Sequence, residues 1–64
     1  MNDINTKRLS RLTTILKQLQ TNRLLTSIGL TIKIGVDTST IYRDIRALEK
    51  VGVPIITDGK GYKL

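Results

Sequence analysis

Several residue types that carry protein chemistry are missing from this chain. It contains no cysteine and no histidine, so disulfides cannot stabilise it and a zinc site of the usual Cys/His kind is excluded. The remaining candidate metal ligands are carboxylates scattered along the chain: Asp3, Asp37, Asp44, Glu49 and Asp58. We therefore expect no metal site and no other cofactor.

Catalytic groups are also scarce. Without His or Cys, the common nucleophile–base pairs cannot be assembled, and no glycine-rich loop of the phosphate-cradling kind occurs. Asp44 falls between Tyr42 and Arg46 on a predicted helix, a position that suits an ion pair better than an active site. We expect a protein that is not an enzyme.

Long apolar stretches are absent too. A membrane-spanning helix needs about 20 apolar residues, and the N-terminus lacks the apolar run of a signal peptide. A length of 64 residues is enough for one domain, residues 1–64, which we expect to be cytoplasmic.

Positive charge, in contrast, is abundant. Eleven Lys and Arg residues face five Asp and Glu residues, which gives a net charge of +6. A surplus of this size in a small domain indicates a polyanionic partner, either nucleic acid or an acidic membrane surface.

The first predicted element is an amphipathic helix over residues 5–20. Its apolar residues recur at spacings of three and four. Asn5 or Thr6 is a candidate N-cap, and Asn22 suits a left-handed position after the last turn. The residues of the apolar stripe are Leu9, Leu12, Ile15, Leu16 and Leu19.

Residues 24–36 allow two interpretations. Apolar residues alternate with small or polar ones from Ile28 to Val36, a period of two that favours a strand. The spacing of Leu30 and Ile34, a cap at Thr26 or Ser27 and a terminating Gly35 instead favour a short helix. Local patterning alone slightly favours the strand.

The segment after Asp37 is predicted to form the clearest helix, from about residue 38 to about residue 51. Asp37 is the best N-cap candidate, because its carboxylate accepts a backbone N–H and faces the positive end of the helix dipole. Ile41, Ile45 and Leu48 form one apolar stripe. The residues that point elsewhere are Tyr42, Arg43, Arg46 and Lys50.

A hairpin is predicted to close the chain. Pro54 cannot extend a helix, residues 55–57 are strong strand formers, and residues 58–61 (DGKG) supply a turn before residues 62–64 return. A hairpin this short is unstable alone, so it must pack against the helices.

Taken together, these elements resemble the winged-helix group known as helix-turn-helix type 11. Such domains are found in WYL-domain and DeoR-like transcription regulators, and the end of the chain is also similar to the DNA-binding domain of the biotin operon repressor. The residues that carry the resemblance are 35–36 (GV), 40–45 (TIYRDI), Leu48, 52–55 (GVPI) and 59–64 (GKGYKL).

The resemblance implies a mostly α fold with a small β-hairpin: a winged helix-turn-helix with a three-helix core and a two-stranded wing. Residues 27–34 would form the middle helix. Residues 38–50 would form the recognition helix in the major groove, and residues 58–62 the wing on the backbone or minor groove. The family commonly has serine at the position of Asp37 and arginine at that of Ser39, so the base preference of this chain is its own.

The side-chain chemistry of individual residues on these elements predicts the DNA contacts. Arg43 and Arg46 would pair with guanine edges or phosphates, although either could instead form a surface ion pair with Asp44 or Glu49. Tyr42 would reach a phosphate or pack against the first helix. The remaining expected contacts are Thr38, Ser39 and Thr40 at the helix start and Lys60 at the wing tip.

Three other expectations concern neighbouring residues and partners. Tyr62 should pack the wing onto the core, whereas Arg8, Arg11 and Lys17 form either a solvated face or a source of non-specific attraction. The expected partner is double-stranded DNA, bound by a homodimer or by a longer regulator with a C-terminal effector domain. The alternative is a protein-interaction module that docks an acidic partner, and the few aromatic residues disfavour RNA.

Overall fold

The computed structural model describes residues 3–21 and 24–64, with side chains from residue 6 onwards. Over these ranges the chain is mostly helical with a small hairpin, and this arrangement is compatible with the predicted winged helix-turn-helix. In chain order the elements are α1 (Asp3–Thr21), β1 (Leu25–Thr26), α2 (Ser27–Ile34), α3 (Thr38–Lys50), β2 (Ile56–Asp58) and β3 (Gly61–Lys63).

Helix α1 packs through a narrower stripe than the sequence predicted. Ile15 and Leu19 are buried, whereas Leu9 remains 64% exposed, because α1 is longer than the core it covers. The helix begins at Asp3, so Asn5 and Thr6 both lie inside it and the prediction that one of them caps it is wrong. Asn22 and the side chain of Asn5 lie outside the described residues.

Helix α2 resolves the ambiguous segment in favour of the helix. The Thr26 hydroxyl accepts a hydrogen bond from the Gly29 backbone N–H at 2.9 Å. Gly35 ends the helix in the left-handed region, with φ 81°, where a side chain would be strained. These caps and the complete burial of Leu30 outweigh the alternating pattern.

Helix α3 agrees closely with its prediction. The Asp37 carboxylate accepts a hydrogen bond from the Thr40 backbone N–H at 2.9 Å, which confirms it as the N-cap. Ile41, Ile45 and Leu48 are buried. The helix ends at Lys50, and Gly52 follows with φ 100°.

The hairpin belongs to a sheet of three strands among the residues described, in the order β1-β3-β2. The sequence predicted two strands, and the two-residue β1 was missed. Leu25 and Thr57 lie opposite Tyr62 on its two sides, and the Ser27 N–H donates to the Lys60 carbonyl at 3.2 Å. Backbone pairing therefore fixes the hairpin to the start of α2.

One apolar cluster joins these elements. Tyr62 is only 7% exposed, which confirms that it packs the hairpin onto the core. In the described parts of the chain, no helix has the length and apolar character needed to cross a membrane. The other buried members of the cluster are Ile15, Leu19, Leu25, Leu30, Ile41, Ile45 and Leu48.

Candidate nucleic-acid interface

The outward face of α3 carries three cations. Arg43, Arg46 and Lys50 are exposed, and at 100° per residue they fall within an arc of about 60°, opposite the buried Ile41. Ser39 lies in the same arc, one turn before Arg43. The helix therefore presents a positively charged, solvent-accessible ridge along its length.

Among the described residues, no acid lies close enough to form an ion pair with Arg43 or Arg46. The alternative that they pair with Asp44 or Glu49 is therefore not what the structure shows. Their guanidinium groups keep their donors available to an anionic partner.

Asp44 points into the protein and pairs with α1 instead. Its side chain is 1% exposed, and both of its oxygens accept hydrogen bonds from Arg11: from Nε, and from a terminal nitrogen at 3.1 Å. Arg8 approaches less closely, with Nε 3.8 Å from Asp44 Oδ1. The hydrogen bond to Asp44 raises the pKa of Arg11 above its usual value. Arg11 is thus a structural residue and not part of a solvated face.

The start of α3 exposes two hydroxyl groups. Thr38 and Ser39 are exposed, whereas Thr40 is half-buried. Hydrogen bonds from the Thr40 side chain and backbone lower the pKa of Asp37, so this carboxylate carries its negative charge at neutral pH. The Asp37 carboxylate already occupies the Thr40 backbone N–H, and its negative charge reduces the attraction of the N-terminus of α3 for a phosphate. Thr38 and Ser39 can still offer their hydroxyls.

On the hairpin side of α3, Tyr42 stands beside the sheet. It is half exposed and lines a groove of about 250 Å³ together with Arg46, Glu49, Thr57 and Tyr62. Burial raises the pKa of the Tyr62 phenol, so its hydroxyl stays protonated at neutral pH. Tyr42 thus faces the hairpin, with its ring partly open to a partner.

Lys60 is exposed in the turn between β2 and β3. Its carbonyl is held by Ser27, so the backbone at the tip is fixed while the ammonium group points to solvent. The hairpin therefore presents its cation from an anchored turn.

On the α1 side of α3, a second groove of about 250 Å³ brings Arg8 next to the ridge. It is lined by Arg8, Arg43, Arg46, Ala47 and Lys50. Neither Arg8 nor Lys50 was among the predicted site residues. The helical spacing of Lys50 from Arg43 and Arg46 could have identified it, but the position of Arg8 depends on how α1 packs.

Acidic side chains do not gather anywhere in the described structure. No three of them come close enough together to hold a metal ion. The candidate interface offers mainly cations and hydroxyls, groups that bind anions and hydrogen-bond acceptors, and its acids are Asp37 at the start of α3 and Glu49 beside Tyr42.

Comparison with known proteins identifies the family of this fold. The helix-turn-helix type 11 family, described as an HTH domain, matches residues 11–63. None of the curated proteins and none of the solved structures matches the chain. The matched region contains α2, α3 and the hairpin in full and about half of α1. The chain therefore belongs to the helix-turn-helix type 11 family, a family of DNA-binding domains and not of enzymes.

Proposed function

We propose that this domain binds double-stranded DNA sequence-specifically and serves bacterial-type transcription control. In this proposal α3 enters the major groove and the β2–β3 hairpin lies on the backbone or in the minor groove. The observation that carries it is the exposed ridge of Arg43, Arg46 and Lys50 on a helix whose opposite face is buried. A helix of this kind fits the major groove and matches its negative potential.

The predicted contact residues have different roles in this proposal. Arg46, on the outward face of α3, reads a base edge, because arginine can donate two hydrogen bonds to O6 and N7 of guanine. Arg43 contacts a base or a phosphate. Tyr42 and Lys60 contact the backbone, and Thr38, Ser39 and Thr40 contact phosphates or base edges at the start of α3.

We also propose that the domain does not act alone. A single module covers a small footprint and binds weakly alone, so we propose that it acts as a homodimer or beside a further domain. Light scattering with and without DNA tests this. A strict monomer that binds one half-site tightly would contradict it.

Selection of bound duplexes from a random DNA pool tests the main proposal. We expect enrichment of a short motif with guanine at the position read by Arg46. A palindromic motif would support the dimer, and a pool that stays random after repeated rounds would contradict sequence-specific binding.

A second candidate is docking of an acidic protein partner. It is favoured by an apolar surface beside the ridge, where Leu9 is 64% and Val51 is 78% exposed and both line a groove with Leu12 and Ala47. Salt separates the two functions. DNA affinity falls linearly and steeply in a log–log plot against salt concentration, whereas affinity for a protein partner falls less.

A further inference from the structure

Arg8 occupies an unusual position between two neighbouring grooves. On one side it lines a groove with Arg43, Arg46, Ala47 and Lys50. On the other side it lines a groove that also contains Asp44 and Arg11. Its side chain is 49% exposed, so it can turn towards either one.

Asp44 already has a closer partner. Arg11 donates hydrogen bonds to both of its oxygens, whereas Arg8 stays 3.8 Å away, beyond hydrogen-bonding distance. Among the described residues, this long contact with Asp44 is the ion pair that Arg8 forms. Among the described residues that line these two grooves, Asp44 is the carboxylate, and because Arg11 neutralises it the guanidinium of Arg8 keeps donors for another anion.

We propose that Arg8 and Lys50, with Arg43 beside them, form a binding site for a backbone phosphate at the junction of α1 and α3, and that Arg11 keeps Arg8 available to it by occupying Asp44. The inference rests on the proposed DNA binding and adds to it a site to which α1 contributes.

The composition of the groove supports a phosphate ligand. Its lining contains four cationic side chains and one alanine, and guanidinium groups match phosphate oxygens bidentately. Ala47 is small and uncharged. Lys50 and Arg8 place two of these cations beside the C-terminal half of α3. A phosphate bound there would fix the orientation of α3 on the duplex while Arg46 reads a base, since backbone contacts set orientation.

The first test compares Arg8→Ala with Lys17→Ala. Lys17 is an exposed cation on the same helix, about 180° away from Arg8 around the helix axis, so both variants lose one charge from α1. Fluorescence anisotropy over a range of salt concentrations is measured on the selected duplex and on a scrambled one. One lost phosphate contact lowers the log–log slope by about 0.9, which at 0.1 M salt corresponds to about eightfold weaker binding.

We expect Arg8→Ala to show this change on both duplexes and Lys17→Ala to keep a slope near that of the parent protein. Circular dichroism checks that each variant is folded. Equal slopes for the two variants would overturn the phosphate site.

The second test addresses Arg11. In Arg11→Gln the amide still donates a hydrogen bond to Asp44 but leaves its charge unneutralised, so Arg8 should turn to Asp44 and binding should weaken by about the same eightfold. In the double variant Arg11→Gln with Asp44→Asn that charge is absent, and binding should return. Such recovery is not expected if Arg11 acts only through packing. Unchanged binding by folded Arg11→Gln would overturn the role assigned to Arg11.

Binding by the parent protein distinguishes failure of the proposed DNA binding from failure of the phosphate site. If it fails to bind either duplex, the proposed DNA-binding function has failed and the phosphate site with it. If it binds and Arg8→Ala behaves like Lys17→Ala, only the further inference has failed.

Discussion

The two sides of α3 use arginine in opposite ways. On the inner flank, Asp44 is 1% exposed and fixes Arg11 from α1, whose side chain is 22% exposed. On the outer face, Arg43 and Arg46 are exposed and, in the described structure, form no ion pair with an acid. Net charge alone does not distinguish these arginines. Burial and the identity of the partner separate the arginine that holds the fold together from those available to DNA.

Removing the inner carboxylate should have the largest effect. Asp44→Ala removes the hydrogen bonds that Arg11 makes to both carboxylate oxygens, and because Arg11 is partly exposed we expect a loss of about 1.5–3 kcal/mol of unfolding free energy, the range for a hydrogen bond to a charged group. Urea denaturation measures this. The matched control is Asp58→Ala, since Asp58 pairs with Lys63 at 3.7 Å but is 61% exposed, and its loss should cost less than about 1 kcal/mol. Equal costs would show that the inner pair is no more important than the surface pair.

Removing an outer arginine should affect binding and not folding. Arg46→Ala is expected to weaken binding to the selected duplex by about 1–3 kcal/mol, the range for an arginine that reads a base. Binding to a scrambled duplex should weaken much less. Calorimetric or anisotropy titrations measure both affinities, and urea denaturation should give an unchanged unfolding free energy. A variant with unchanged discrimination would show that a different helix face reads the bases.

The hairpin lysine should have a smaller and less selective effect. Lys60→Ala is expected to weaken all duplexes about equally and to lower the slope of the log–log salt plot by about 0.9, as for one lost phosphate contact. Lys63→Ala is the control, because Lys63 is already close to Asp58. Equal slopes for Lys60→Ala and the parent protein would show that the turn does not contact DNA.

Loss of the Asp37 charge at acidic pH should have the smallest effect, a decrease in melting temperature. Hydrogen bonds from Thr40 lower the pKa of Asp37 below its ordinary value of 3.8. The folded state therefore binds fewer protons, and the cap stabilises α3 above this value and is lost as the pH falls through the folded-state pKa. Melting temperatures from about pH 5 to about pH 2 should fall more steeply for the parent protein than for Asp37→Asn, which caps without titrating. Parallel curves would contradict this linkage.

Local signals were sufficient to predict α3. Asp37 caps it, Ile41, Ile45 and Leu48 define its buried stripe, and Gly52 follows its end, all features that act within one or two turns. The same holds for the hairpin, although β2 and β3 begin one residue from the expected boundaries on either side of the turn. The family and the fold class could therefore be recognised from the sequence.

Tertiary features were beyond this kind of prediction. The alternating pattern in α2 misleads because Ile28 and Ile32 are in fact exposed, and only packing of Leu30 shows which face is buried. The pair of Arg11 and Asp44 joins residues 33 positions apart, and no local spacing indicates it. The same is true of Arg8, whose place beside α3 follows from that pair.

Chemical-shift mapping of the isotope-labelled domain during titration with its selected duplex tests most directly whether the outer face of α3 binds DNA. We predict that the largest amide shifts occur in α3, around Ser39, Arg43 and Arg46, with a second set at the hairpin turn around Lys60. Shifts concentrated on the exposed residues of α2, Ile28 and Ile32, with α3 unchanged, would contradict the account.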